Sequence, residues 1–114
     1  MQKGPILRLL SYRFNGTPEE EREFNEWYNK EHIVDFLSKP EYLDGYRYQS
    51  VDDPHEYLTV YYFESEESIQ RMSSGPRKGS GSGEKTSWKW WLEKHLVSCE
   101  RKTYRQLYPD TASE

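Results

Sequence analysis

The stretch EFNEWYNKEHIVDF, residues 23–36, decides how the chain folds. It reads as a helix, yet it sets Glu31, His32 and Asp35 among Trp27, Tyr28, Ile33 and Phe36. At about 100° per residue, Phe24, Trp27 and Tyr28 share one face, and Glu31 and Asp35 project onto that same face. Ile33, Phe36 and Leu37 project roughly opposite. One straight helix cannot bury both stripes against one sheet. A break is therefore expected near residues 32–34. His32 would lie in the last turn before it, where free carbonyls favour a cation.

Upstream, NGTPEEE (residues 15–21) supplies the helix start. Asn15-Gly16 signals a turn, Thr17 an N-cap and Pro18 the first helical position. Glu20 completes a T-x-x-E capping box, with acids in the first turn. The helix should end near Ser38, because Lys39 precedes Pro40 and is pushed out of the α region.

The remaining elements follow in order. ILRLLSYRF (6–14) reads as a strand, and YLDGYRYQSV (42–51) as a second. DDPHE (52–56) is a turn. YLTVYYF (57–63), β-branched and aromatic, is a third strand. SEESIQRMSS (65–74) opens a second helix on Ser65, and GPRKGSGSG (75–83) has the composition of a flexible loop. SWKWWLEKH (87–95) is a short helix, and VSCERKTYRQLY (97–108) a last strand and tail. The order β-α-β-β-α-β predicts an α+β, ferredoxin-like sandwich. One domain is expected over 1–114, with residues 75–86 a flexible loop and 109–114 a tail.

Composition narrows the partners. In 114 residues, hydrophobic side chains make up 33% and aromatic ones 16%, with 10 Tyr and 4 Trp, and mean hydropathy is −1.14. The core must lean on large rings with polar tips. A small domain with few aliphatic residues buries little surface alone, which favours a homodimer. A net charge of −4 and a pI near 5.5 argue against a nucleic-acid partner. The single cysteine, Cys99, excludes an internal disulfide framework. No apolar run reaches the ~18 residues of a membrane span, and the first residues lack a signal-peptide core. A cytoplasmic location is expected.

Helices in such a fold cover one sheet face and leave the other bare. Period-two reading sets Ile6, Arg8, Leu10 and Tyr12 against Leu7, Leu9, Ser11 and Arg13. In the second strand Tyr46 and Tyr48 oppose Gly45, Arg47 and Gln49; in the third, Leu58, Val60 and Tyr62 oppose Tyr57, Thr59, Tyr61 and Phe63. Rings mixed with Arg8 and Arg47 are expected to give the bare face a second packed surface holding a partly polar pocket, closed by another copy of the chain.

The segment EFNEWYNKEHIVDFLSKPEYLDGYRY (23–48) resembles the first helix and second strand of dimeric α/β-barrel proteins, especially the EthD-like group. Trp27, Tyr28, Glu31, His32, Ile33, Asp35, Pro40, Arg47 and Tyr48 carry the resemblance, and TYRQLY (103–108) is similar to the tail of these proteins. Val34 stands where that group often has Pro, and Glu41 where it often has Gly. The resemblance implies the fold of a superfamily that includes cofactor-free monooxygenases, polyketide cyclases, muconolactone isomerases, aldoxime dehydratases and haem peroxidases. Fold alone does not choose among them. It also implies a helix-one histidine beside the barrel mouth.

His32 is thus a candidate acid–base residue, with an unperturbed pKa of ~6.5 suited to proton transfer near neutrality; the alternative is a histidine capping late carbonyls. Glu31 and Asp35 would orient it or act as base, or else lie solvated at the helix end. Trp27, Tyr28, Tyr12, Tyr48 and Tyr61 are candidates for an aromatic substrate pocket, with Tyr46 and Tyr62 nearby. Arg8 and Arg47 would bind a carboxylate or stabilise an enolate, or else pair with an acid at the core edge. No metal site is expected, since His55 and His95 lie on other elements. No cofactor is expected either, since GSGSG is not a phosphate cradle and no clear haem ligand is present. The leading reading is a cofactor-free enzyme acting on an aromatic or polyketide-like substrate, as cyclase, dehydratase, isomerase or monooxygenase. The alternatives are a non-catalytic small-ligand barrel and, given the strand order and EYLTVYYF (56–63), an RNA-binding module.

Overall fold

A computed structural model describes residues 4–74 and 85–108. Strand β1 (Ile6–Phe14) leads to α1 (Pro18–Trp27), a π-helical segment (Tyr28–His32) and α2 (Ile33–Leu37). Strands β2 (Tyr42–Gln49) and β3 (Glu56–Phe63) follow, then α3 (Glu66–Ser74), α4 (Trp88–Lys94) and β4 (Leu96–Arg105). The expected loop 75–86 falls mostly, and the tail 109–114 wholly, outside the described residues. No helix among the described residues is long and apolar enough to cross a membrane.

The sheet is antiparallel throughout, in the order β2-β3-β1-β4. Each β–helix–β crossover therefore spans a strand that runs the other way, which is the ferredoxin-like arrangement. The capping box forms as read: Thr17 Oγ1 accepts from the Glu20 N–H at 3.1 Å, and Glu20 Oε1 accepts from the Thr17 N–H at 2.8 Å. In β4 a bulge opposite Arg13 shifts the pairing between Tyr12 and Phe14, and Ser98 there takes a φ of 57°.

Helices cover the face that carries Tyr12, Phe14, Tyr57, Thr59, Tyr61 and Phe63, all buried. One core cluster joins Tyr12, Phe14 and Tyr57 to Phe24, Trp27 and Tyr28 of the first helical run and to Trp91 of α4. A second joins Ile6, Tyr61, Phe63 and Ile69, and Ile33 packs against both. Gly45 gives α2 room: a Cβ there would come within 3.0 Å of Leu37 Cδ2 and Tyr61 Cδ1.

The register corrects the expectation for the bare face. Arg47 pairs with buried Thr59, and Arg8 with Tyr61, so both arginines lie on the helix side. The uncovered face instead carries Leu7 opposite Tyr62, Leu9 opposite Val60, and Ser11 opposite Leu58. Tyr46 and Tyr48 flank Val60 and Leu58 there, and Tyr104 flanks Leu7. Polar and charged groups were expected to mix with rings on the open side. They do so on both sides: Arg8 and Arg47 lie under the helices, while on the open side Asp44 opposes Tyr62, Lys102 opposes Leu9 and Glu100 opposes Ser11, around a central band of aliphatic residues and tyrosines.

Candidate functional site

The site begins with one residue too many in a helical turn. Glu21, Phe24 and Tyr28 form a buried stripe at α-helical spacing. Continued at that spacing it would reach Glu31 and Asp35. At the π-helical segment, however, the Ile33 N–H bonds to the Tyr28 carbonyl, five residues back. The wider turn advances the stripe by one residue. His32 takes the place of Glu31, Phe36 follows, and both acids face solvent. The helix does reorient as expected, but through a π turn at 28–32 rather than a break at 32–34. The mismatched stripes were the sequence signal for it.

His32 is consequently enclosed, with 5% of its surface exposed. Trp27 stacks on one side, centroids 4.7 Å apart and planes at 21°, and Trp88 on the other at 5.3 Å and 6°. Tyr28 and Phe36 meet it edge-on, each at 4.8 Å. Nδ1 is buried with no hydrogen-bond partner among the described residues. Burial, reinforced by the positive charges of Arg47 and Lys39, pulls its pKa down to about 4. His32 is therefore a neutral imidazole in an aromatic box, not the protonated cap of a helix end. Neither acid reaches its Nδ1.

Arg47 organises the next layer. Its guanidinium lies 4.0 Å from the centre of the Tyr28 ring. Its Nε donates to Tyr12 Oη at 3.1 Å, and its two terminal nitrogens donate to Asn29 Oδ1 and Asn25 Oδ1, each at 2.9 Å. Thr59 donates to Tyr28 Oη at 2.9 Å, so the 2.8 Å bond between Tyr12 and Thr59 has Tyr12 as donor. Donation thus runs one way, from Arg47 through Tyr12 and Thr59 to Tyr28. Burial raises the Tyr28 phenol well above its ordinary value, so it stays protonated.

Trp27, Tyr28, His32, Arg47 and Tyr12 are therefore brought together. Tyr61 belongs to the neighbouring cluster, 5.8 Å from Phe36, with its buried hydroxyl beside that of Tyr28. Burial pushes that phenol upward too. Tyr48 is not part of the group: it lies on the open face, 52% exposed. Arg8 sits further along β1, donating to Thr103 at 3.4 Å, its pKa lowered by burial and then by Arg101. Side chains fill the space between helices and sheet, with Phe24 and Tyr28 wholly buried. Among the described residues no three His, Cys, Asp or Glu side chains gather as a metal site would require.

A carboxylate with chemical capacity, Glu21, escaped the sequence reading. Glu21 Oε2 accepts from the Tyr57 hydroxyl at 2.5 Å, and Glu21 Oε1 accepts from His55 Nδ1 at 2.8 Å. Asn25 Nδ2 also donates to Tyr57, at 3.0 Å. The available signal was the stripe itself. Glu21 stands three residues before Phe24 and seven before Tyr28, which puts a carboxylate on the face that is buried.

No family model and no curated protein matches the sequence. Solved structures do. SnoaB, a cofactor-independent oxygenase from Streptomyces nogalater, superposes with a TM-score of 0.61 at 13% identity, over 92% of this chain and 97% of that one. The fold is shared. A candidate antibiotic biosynthesis monooxygenase from Nitrosomonas europaea gives 0.61 at 16% identity, over 96% and 97% of the two chains. A conserved protein from Methanosarcina mazei Go1 gives 0.60 at 19%, over 89% and 92%. At these identities the likeness is one of architecture, that of the α+β, ferredoxin-like fold.

Proposed function

We propose that the protein is a cofactor-free enzyme of small-molecule metabolism, acting at the His32 box on an aromatic or polyketide-like substrate. The reading is supported by one observation above others: a neutral imidazole, walled by four rings, whose Nδ1 is buried and unpartnered among the described residues. A buried polar atom without a partner costs about 1–3 kcal/mol, so a substrate that supplies the missing partner recovers that energy on binding. The fold shared with a cofactor-independent oxygenase supports the same class.

In this reading a flat substrate replaces Trp88 against His32 and keeps the stacking. His32 Nδ1 takes a proton or hydrogen bond from the substrate. Tyr61 Oη and Arg47 answer the charge that develops on substrate oxygen, in cyclisation, dehydration, isomerisation or cofactor-free oxygenation. Glu31 and Asp35, both exposed, shape the rim. Two chains pair through the open sheet face, as in the EthD-like group that the first helix resembles.

The test is a set of hydroxylated polycyclic aromatics in flavin- and metal-free buffer, in air and without oxygen, followed by mass spectrometry. Turnover by the wild type and its loss in His32→Phe, which retains the ring stack, are expected. A folded His32→Phe at full rate removes the role of His32. Binding without turnover leaves a ligand-binding barrel in place of an enzyme.

A further inference from the structure

A hollow lies at the β2 edge of the molecule, where α1 faces the β2–β3 turn. It is a shallow groove of about 500 Å³, within the range of small-molecule sites. Its lining includes none of the four rings around His32. On its floor are Glu21, His55 and Tyr57; Pro18 and Pro54 supply apolar walls, and Arg22 and Lys30 bring positive charge, each beside an acid, Glu19 at 3.8 Å and the lining Glu26 at 3.7 Å.

The floor is a built arrangement. Glu21 is buried and accepts from both His55 and Tyr57. A carboxylate only accepts, so His55 Nδ1 carries the hydrogen, and in the neutral ring Nε2 carries the lone pair. Nε2 has no partner among the described residues, and half of the His55 side chain is exposed. Tyr57, its pKa raised to about 12 by burial and then by Glu21, keeps its proton and holds Glu21 in place. The turn fixes the ring from behind. The His55 N–H donates to Asp53 Oδ1 at 3.0 Å, its carbonyl accepts from Phe14 N–H at 2.8 Å, and Asp53 is itself tied to Arg13 at 2.7 Å.

We propose that Glu21 and His55 form a second acid–base site, distinct from the His32 box, that binds a hydroxylated aromatic and takes its phenolic proton. The ligand's O–H bond breaks as Nε2–H forms, the Glu21 carboxylate faces the resulting imidazolium, and Arg22 and Lys30 face the phenolate. A ligand that delivers its own proton meets the Nε2 lone pair of the neutral ring, and the two prolines suit a flat ring.

The probe is 4-nitrophenol, whose phenolate absorbs visibly and whose neutral form does not. At a fixed pH just below the probe's own pKa, where nearly half of it is already phenolate, addition of the full-length protein should raise the phenolate band saturably toward about twice its value in buffer. His55→Ala, at a half-exposed turn position, should abolish the gain while circular dichroism is unchanged. Glu21→Gln should weaken it at least tenfold in probe affinity, and His32→Phe should leave it intact. No gain with the wild type, or a gain retained in His55→Ala, overturns the site. A gain lost in His32→Phe but kept in His55→Ala assigns the phenol to the aromatic box instead.

Discussion

The guanidinium of Arg47, on β2, lies over the ring of Tyr28, the first residue of the π turn, at 4.0 Å. Its three hydrogen bonds diverge to Tyr12, Asn25 and Asn29, so one side chain fixes strand β1, helix α1 and the π turn together. Arg47→Ala should cost about 2–3 kcal/mol in urea unfolding, because charged hydrogen bonds and a stacked plane go together. Arg47→Lys should cost nearly as much, since an ammonium supplies neither the plane nor the fork. A lysine variant as stable as the wild type would contradict this account.

Thr59 links the hydroxyls of Tyr12 and Tyr28. Thr59→Val keeps the shape of the residue and removes the link, leaving the buried Tyr12 hydroxyl without its acceptor and the Tyr28 oxygen without the Thr59 donor. About 1–3 kcal/mol should be lost. Double mutation with Tyr28→Phe should recover part of it, which a cycle of unfolding curves will measure.

Acid should weaken the fold through His32. The folded pKa of about 4 lies below the ordinary value of 6.5. Between those values the unfolded chain binds the proton and the folded chain does not. Stability is therefore full above pH 6.5 and falls as pH drops toward 4, by about 3 kcal/mol for a group this buried. His32→Phe should flatten that part of the curve. An unchanged slope in the variant would show that other groups carry the acid sensitivity.

The open face bears on assembly. Leu9 and Val60 sit opposite each other at its centre, between Tyr62 and Leu58 along β3. The wild type should run at twice the chain mass in light scattering. Leu9→Glu should run at the chain mass with unchanged far-ultraviolet dichroism. A wild-type monomer would sever the link between this face and pairing.

Local chemistry in the sequence was legible and long-range chemistry was not. The T-x-x-E box, Pro18 and the alternation of YLTVYYF act within a few residues, and they fix the start of α1 and both faces of β3. Faces were legible too, but not which face the helices take, since rings line both sides. Burial of Tyr12 and Phe14 under Phe24 settles that only in three dimensions. The contact of Glu21 with His55 spans 34 positions, and no spacing rule announces it. Glu31 and Asp35 were placed by an α-helical period that the chain leaves three residues before reaching them.

That departure has a genetic corollary. Within Tyr28–His32 the chain holds one residue more than an α-helical path requires, and one residue turns a helix by about 100°. Loss of a single codon there, with every other letter kept, would swing His32 out and rotate the preceding or following stripe against the sheet. Which ionisable group the interior receives is thus written in the count of residues, and point substitution has no access to that register.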